Sequence, residues 1–237
     1  MIDTSPRIDV ALRASLQAGL RRFRLDVSFQ SAATRLVIFG PSGSGKTLLL
    51  QAIAGVLRPD SGHVRLGGRT LFDSTAGIDV PPRDRRLGVV FQDYALFPHL
   101  DVRQNVSFGL STGPLNPTRR HRDPRVEDWL QRLDLTASAH QFPHQLSGGQ
   151  KQRTAVARAL VGAPDALLLD EPFAALDHGL RRELRGELDA LQRRLDIPML
   201  LVTHDPEDVE ALGAATVQLA GCAPEDRPSH ERRGGKE

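Results

Sequence analysis

The chain has 237 residues, enough for one large domain or for one domain carrying an inserted subdomain. Hydrophobic residues at 40% and charged residues at 25% form an ordinary globular balance; no apolar run reaches the roughly 20 residues of a membrane span, and a single cysteine, Cys222, excludes an internal disulfide framework and suits the cytoplasm. The formal net charge is only +2 and the acids and bases are interleaved, which argues against the clustered positive face that nucleic acid requires. Lysine is rare: Lys46, Lys151 and Lys236 stand among 31 basic residues, all the others arginine.

Residues 20–29, LRRFRLDVSF, alternate apolar Phe23, Leu25, Val27 and Phe29 with polar neighbours and read as a half-exposed strand of an antiparallel sheet. RLVIFG (35–40) is a short apolar run ending in glycine, a buried parallel strand, and residues 46–57 follow as a helix with Leu49, Leu50, Ile53 and Leu57 on one face. SGHVRLGGRTLF (61–72) reads as two short strands about a Gly-Gly turn, and LGVVF (87–91) as another buried strand. Between about 98 and 160 the texture becomes helical after a loop rich in Pro, Gly and Arg, with Val126, Trp129, Leu130 and Leu133 at helical spacing. ALLLD (166–170), a long helix striped by Leu180, Leu184, Leu188, Leu191 and Leu195, and the strands MLLVTH (199–204) and TVQLA (216–220) complete an alternation of strand and helix. Residues 221–237 read as a polar, disordered tail, with no regulatory domain expected after it.

Two stretches have the chemistry of phosphate binding. GPSGSGKT (Gly40, Pro41, Ser42, Gly43, Ser44, Gly45, Lys46, Thr47) lies between a buried strand and a helix, so curled backbone N–H groups face a phosphate, Lys46 supplies a point charge and the Thr47 hydroxyl can ligate Mg²⁺. An ordinary glycine turn would need neither that strand nor the scarce lysine. The carboxylates of ALLLDEP fit the same chemistry, Asp170 for the metal and Glu171 to orient and deprotonate an attacking water. His204 ends another strand, where it can donate to a γ-phosphate oxygen, and Gln92 ends a third, within reach of metal and water. The second stretch, LSGGQ, contains Ser147, Gly148, Gly149 and Gln150 and opens a helix as a further anion-binding N-terminus.

In this order GPSGSGKT, Gln92 in VVFQDYALFPHL, LSGGQKQR, ALLLDEP, FAALD and THD resemble the ATP-binding-cassette ATPases over roughly residues 8 to 220. The resemblance implies an α/β fold: a P-loop NTPase core of RecA-like type with an N-terminal antiparallel β-subdomain and an inserted helical subdomain at about 98–160. It implies ATP and Mg²⁺ as cofactors and a head-to-tail dimer in which Ser147, Gly148 and Gly149 of one copy meet the γ-phosphate bound by the other, with Asp177 linking the two sites. Tyr94, Leu96, Phe97 and Leu100 are expected to border the groove that receives a coupling helix from membrane-spanning permease subunits, placing the chain on the cytoplasmic face of the plasma membrane and serving a periplasmic binding protein indirectly.

Within that family RFRLDVSF, the DSTAGIDVPPRDRRLGVVFQDYALFPHL segment and DIPMLLVTHD look most like importers of molybdate and related oxyanions; ferric-iron, sulfate, polyamine and sugar importers share much of the pattern. A soluble cassette acting on nucleic acid or the ribosome, and a nucleotide kinase sharing only the phosphate loop, are the readings from other classes. Two departures stand out. The aromatic on which the family stacks adenine has only Phe23 as a counterpart, slightly late in the chain, and Ala214 occupies a place usually acidic.

Overall fold

The computed structural model describes residues 6–18, 21–111, 116–118, 122–174 and 176–219; the expected tail at 221–237 lies outside them. The chain opens with β1 (Ile8–Ala18) and β2 (Arg21–Ser31), paired antiparallel along their whole length. β1 escaped the sequence reading, although its Ile8, Val10, Leu12 and Ala14 alternate and are all buried. β3 (Arg35–Phe39) and α1 (Lys46–Ala54) follow, and α1 stops three residues short of the expected 57 because Gly55 turns left-handed at φ 81 and caps it. β4 (Ser61–Leu66) and β5 (Arg69–Asp73) form the expected Gly-Gly hairpin, which β6 (Ile78–Asp79) extends. Together these give an antiparallel sheet in the order β2-β1-β4-β5-β6. Where β4 crosses β1, Gly62 is required: at φ +113 a Cβ would lie 1.9 Å from the Ala11 carbonyl oxygen.

The second sheet is parallel: with β7 (Leu87–Val90), β8 (Ala166–Asp170), β9 (Met199–Thr203) and β10 (Ala215–Gln218) its order is β10-β3-β9-β8-β7. Every residue of β8 and β9 is buried, because both faces are covered. One face packs Leu36, Ile38, Leu168 and Leu200 against α1 and the antiparallel sheet. The other packs Val37, Leu167, Leu169 and Leu201 against the helices.

Those helices are α2 (Val102–Phe108), α3 (Pro124–Arg132), α4 (Gly148–Leu160) and α5 (His178–Leu195), followed by the short α6 (Pro206–Leu212). Among the described residues between 98 and 160 the regular elements are all helical, with Val126, Trp129 and Leu130 buried and Leu133 packed at the edge of the same cluster. Along α5, Leu184, Leu188 and Leu191 are buried while Leu180 and Leu195 are partly so. The expected apolar docking strip needs correction: Tyr94 and Leu100 belong to the interior at 5% and 3% exposure, and only Leu96 and Phe97 lie nearer the surface. The Tyr94 hydroxyl donates inward to the Pro172 carbonyl at 3.3 Å, and the buried Asn105 amide donates to the carbonyls of Phe97, Leu100 and Asp101, so the segment is pinned from within.

Candidate functional site

Four parallel strands deliver their carboxyl ends to one edge, where open α/β sheets bind ligands. Gly40 follows β3, Gln92 follows β7, Asp170 and Glu171 close β8, and Thr203 and His204 close β9. The loop between β3 and α1 depends on glycine for space and for angle. Gly40 leaves no room for a Cβ, which would meet the Leu219 carbonyl oxygen at 2.8 Å, and Gly43 and Gly45 adopt φ of 80 and 90. Gly45 is also the N-cap of α1 and has no side chain to satisfy the first turn, and that turn contains no acidic residue. The free N–H groups there suit an anion.

Lys46 is 5% exposed, and its Nζ donates to the carbonyls of Gly40 and Pro41 at 2.8 and 2.9 Å. A third neighbour, Glu171 Oε1, lies 3.8 Å away. The buried ammonium is thus held over the loop by carbonyl dipoles, ready for a stronger anionic partner. The Thr47 hydroxyl is 3.3 Å from Asp170 Oδ1. Burial pushes the Asp170 carboxyl up, helped by the charge of Glu171 and opposed by the Thr47 hydrogen bond and by Lys46. A carboxylate that pays for desolvation beside a hydroxyl gains from a hard cation, and the oxygen donors of Thr47, Asp170 and Gln92 fit Mg²⁺ completed by phosphate and water.

Glu171 holds a left-handed backbone at φ 44, strained for a residue with a side chain, and its N–H donates to the Val202 carbonyl at 2.9 Å. The strain turns its carboxylate out of the strand, and Oε1 lies 3.0 Å from His204 Nδ1. A cleft of about 450 Å³ collects Ser42, Gly43, Gly45, Lys46, Thr47, Gln92 and Glu171 together with Leu16, Phe23 and Leu48. A second, of about 640 Å³, joins Thr47, Gln92 and Asp170. Phe23 therefore lines the same cleft as the phosphate loop. It pairs directly with Leu16 across the β1–β2 ladder, which turns both side chains to one apolar wall.

The LSGGQ stretch lies elsewhere. Ser147 caps α4 in a reciprocal box with Gln150, whose Nε2 also donates to Ser138 Oγ at 2.9 Å. Gly148 and Gly149 pack on α5 and the segment before it: Cβ atoms there would come within 2.9 Å of Leu176 and 3.1 Å of Leu180. Ser147 is exposed, and residues 147–150 line neither cleft flanking the phosphate loop. Asp177, also exposed, caps α5 by accepting from the N–H groups of Gly179 and Leu180.

Sequence reasoning missed the arginines that buttress these turns. Arg158 on α4 donates to the carbonyls of Tyr94 and Ala95, just beyond Gln92. On α5, Arg181 and Arg185 reach the turn that carries His204. A signal existed for that pair: two arginines four residues apart on one helix face, matched by Asp205 and Asp208 three apart.

A glycine-rich cradle between a buried strand and a helix, with carboxylates at the neighbouring strand ends, defines a nucleoside-triphosphate-binding protein of the P-loop class. The family model described as ABC transporter matches residues 24–174, and the chain belongs to that family. It is 42% identical over 210 residues to the molybdenum import ATP-binding protein ModC of Paramagnetospirillum magneticum, covering 87% of this chain and 57% of that one. It is 43% identical over 194 residues to the molybdate/tungstate import ATP-binding protein WtpC of Archaeoglobus fulgidus (82% and 77% of the two chains), and 46% identical over 187 residues to the spermidine/putrescine import ATP-binding protein PotA of Nitratidesulfovibrio vulgaris (78% and 48%). The chain thus spans about half the length of several curated relatives. Among solved structures, a dimeric ATP-binding cassette in a post-hydrolysis state bound to ADP and Pi superposes with a TM-score of 0.73 at 27% identity, over 90% of this chain and 94% of that one.

Proposed function

We propose that the chain is the ATP-hydrolysing subunit of an importer for molybdate or tungstate, acting as a head-to-tail homodimer on the cytoplasmic face of the membrane beneath permease subunits. The names of the molybdate and tungstate relatives support the substrate; the spermidine/putrescine relative, similar at 46% identity, keeps a polyamine importer as the second reading. The reading of shared sites rests on one observation above all: the exposed Ser147 cap at the N-terminus of α4, where an anion can be bound, lines neither cleft beside its own phosphate loop.

In this reading the adenine lies on the Phe23–Leu16 wall, and the triphosphate draws Lys46 Nζ from the Gly40 and Pro41 carbonyls. Thr47, Asp170 and Gln92 would hold Mg²⁺, which when bound would neutralise charge on the phosphates. Glu171, aimed out of its strand by the left-handed turn, accepts the proton of the attacking water, and His204 donates to a γ-phosphate oxygen. Ser147 and the Gly148–Gly149 N–H groups of the second copy close the site, with Gln150 fixing the Ser147 cap.

The test is Glu171→Gln, expected to bind ATP, to lose turnover and to elute as a dimer with ATP and Mg²⁺ on gel filtration. A monomer under those conditions refutes the shared site. For the substrate, uptake of radiolabelled molybdate should fall in cells lacking the chain while sulfate uptake persists; loss of putrescine uptake instead would favour the second reading.

A further inference from the structure

Arg181 sits one turn into α5, its backbone N–H bonded to the Asp177 carbonyl at 2.9 Å. Its guanidinium grips two segments at once. Nη2 donates to the Leu176 carbonyl at 3.2 Å, and Nη1 donates to Asp205 Oδ2 at 2.7 Å. Leu176 adjoins Asp177 and packs under Gly148 of the LSGGQ stretch; Asp205 adjoins His204, which lies 3.0 Å from Glu171. Arg181, Glu171, Thr203, His204 and Asp205 together line one small cavity of about 50 Å³.

Anchoring of the Asp205 turn does not by itself need Arg181. Arg185 already donates to Asp205, Glu207 and Asp208, Thr203 donates to Asp208, and the Asp205 N–H donates back to Thr203. What Arg181 adds is the link to the Leu176 carbonyl. We propose that Arg181 is a positioning residue that sets His204 and Glu171 according to the placement of the Leu176–Asp177 segment. Because that segment and the LSGGQ stretch meet the second copy in the head-to-tail dimer, on which this inference rests, closure of the dimer is passed through Arg181 to the pair that performs hydrolysis. A planar fork can hold a carbonyl and a carboxylate in one fixed geometry, whereas a single ammonium cannot.

The experiment compares wild type, Arg181→Met, Arg181→Lys, Asp177→Ala and the Asp177→Ala/Arg181→Met double variant as full chains, measuring kcat and KM for ATP, ATP affinity and the urea midpoint. A misplacement of about 1 Å costs on the order of 100-fold in rate, so kcat of Arg181→Met should fall about 10- to 100-fold while KM and affinity stay within about two-fold. Arg181→Lys, which keeps the charge and loses the fork, should recover only part of kcat and also covers the case in which the Met variant folds poorly. The double variant should be no slower than the slower single, as expected for two residues on one line of transmission. Wild-type kcat in Arg181→Met, full recovery in Arg181→Lys, or multiplied losses in the double variant would each overturn the assignment. Glu171→Gln separates the two levels: if it dimerises with ATP while Arg181→Met turns over normally, only Arg181 is wrongly assigned. If it stays monomeric, the shared-site reading falls and this inference with it.

Discussion

Removing the Arg158 guanidinium by Arg158→Met tests whether the turn beyond Gln92 is held against its own strain. Tyr94 and Ala95 are consecutive left-handed residues at φ 63 and 43. Each costs about 1–2 kcal/mol for a residue with a side chain, roughly 2–4 together. Against this, Arg158 donates to their carbonyls at 2.8 and 2.6 Å and lies 5.6 Å over the Phe97 ring. Burial lowers its pKa and the Asp93 charge opposes that, but a guanidinium stays charged at neutral pH. Two charge-assisted bonds contribute about 3–6 kcal/mol. Their loss, partly offset as the turn relaxes, leaves a net destabilisation near 2 kcal/mol, or a fall in Tm of about 4–8 °C for a chain of this size. Adding Ala95→Gly should return about 1 kcal/mol, since glycine adopts the left-handed region freely. Turnover should drop in Arg158→Met, because Gln92 is two residues from the freed turn, and differential scanning calorimetry with an ATPase assay reads both effects. Melting within about 2 °C of wild type, half the smallest expected shift, would refute the reasoning.

Lys46→Ala should abolish both nucleotide binding and hydrolysis, because it removes the one ammonium held by the Gly40 and Pro41 carbonyls; titration with a fluorescent ATP analogue should show no saturation. Ser147→Arg should bind ATP yet not hydrolyse it, and mixing it with Lys46→Ala chains should restore partial activity, since one intact composite site can form; no rescue would count against shared sites. Asp9 gives the pH dependence. Burial alone would raise its carboxyl, but hydrogen bonds from His63 and Gln30 and the charges of His63 and Arg65 prevail and hold it below the usual carboxylate value. A depressed folded pKa means stabilisation that is complete above the unfolded value of about 4 and is lost as pH falls through the folded one. Asp9→Asn should therefore lose about 1–3 kcal/mol at pH 7, and its urea midpoint should converge on that of wild type only as pH falls below about 4 and protonates the folded carboxyl.

Much of this was legible because the chemistry lies in contiguous runs. GPSGSGKT, ALLLDEP, THD and LSGGQ are each local, and the apolar runs before them place three of the four at strand ends. What sequence spacing could not measure is distance across the chain. Phe23 looks late when counted along the sequence, yet the β1–β2 register seats it opposite Leu16 in the cleft. Tyr94 and Leu100 look like a docking strip because an apolar run is the same whether it faces solvent or core; Asn105 and the Pro172 carbonyl decide the direction. Arg158 on α4 was the least visible, because an arginine that donates to distant carbonyls has no periodic signature. β1 is a plainer omission, since its alternation was there to be read.

Each central parallel strand sends alternate side chains to different cores: Leu168 to one and Leu167 and Leu169 to the other, Leu200 and Val202 to one and Met199 and Leu201 to the other. Adding or deleting a single residue within β8 or β9 would send every side chain beyond it to the wrong side of that wall, and would carry Asp170, Glu171 or His204 out of the edge as well. Length variation in such a protein is confined to its outer connections, and the seats of its acidic and imidazole groups cannot drift along the chain.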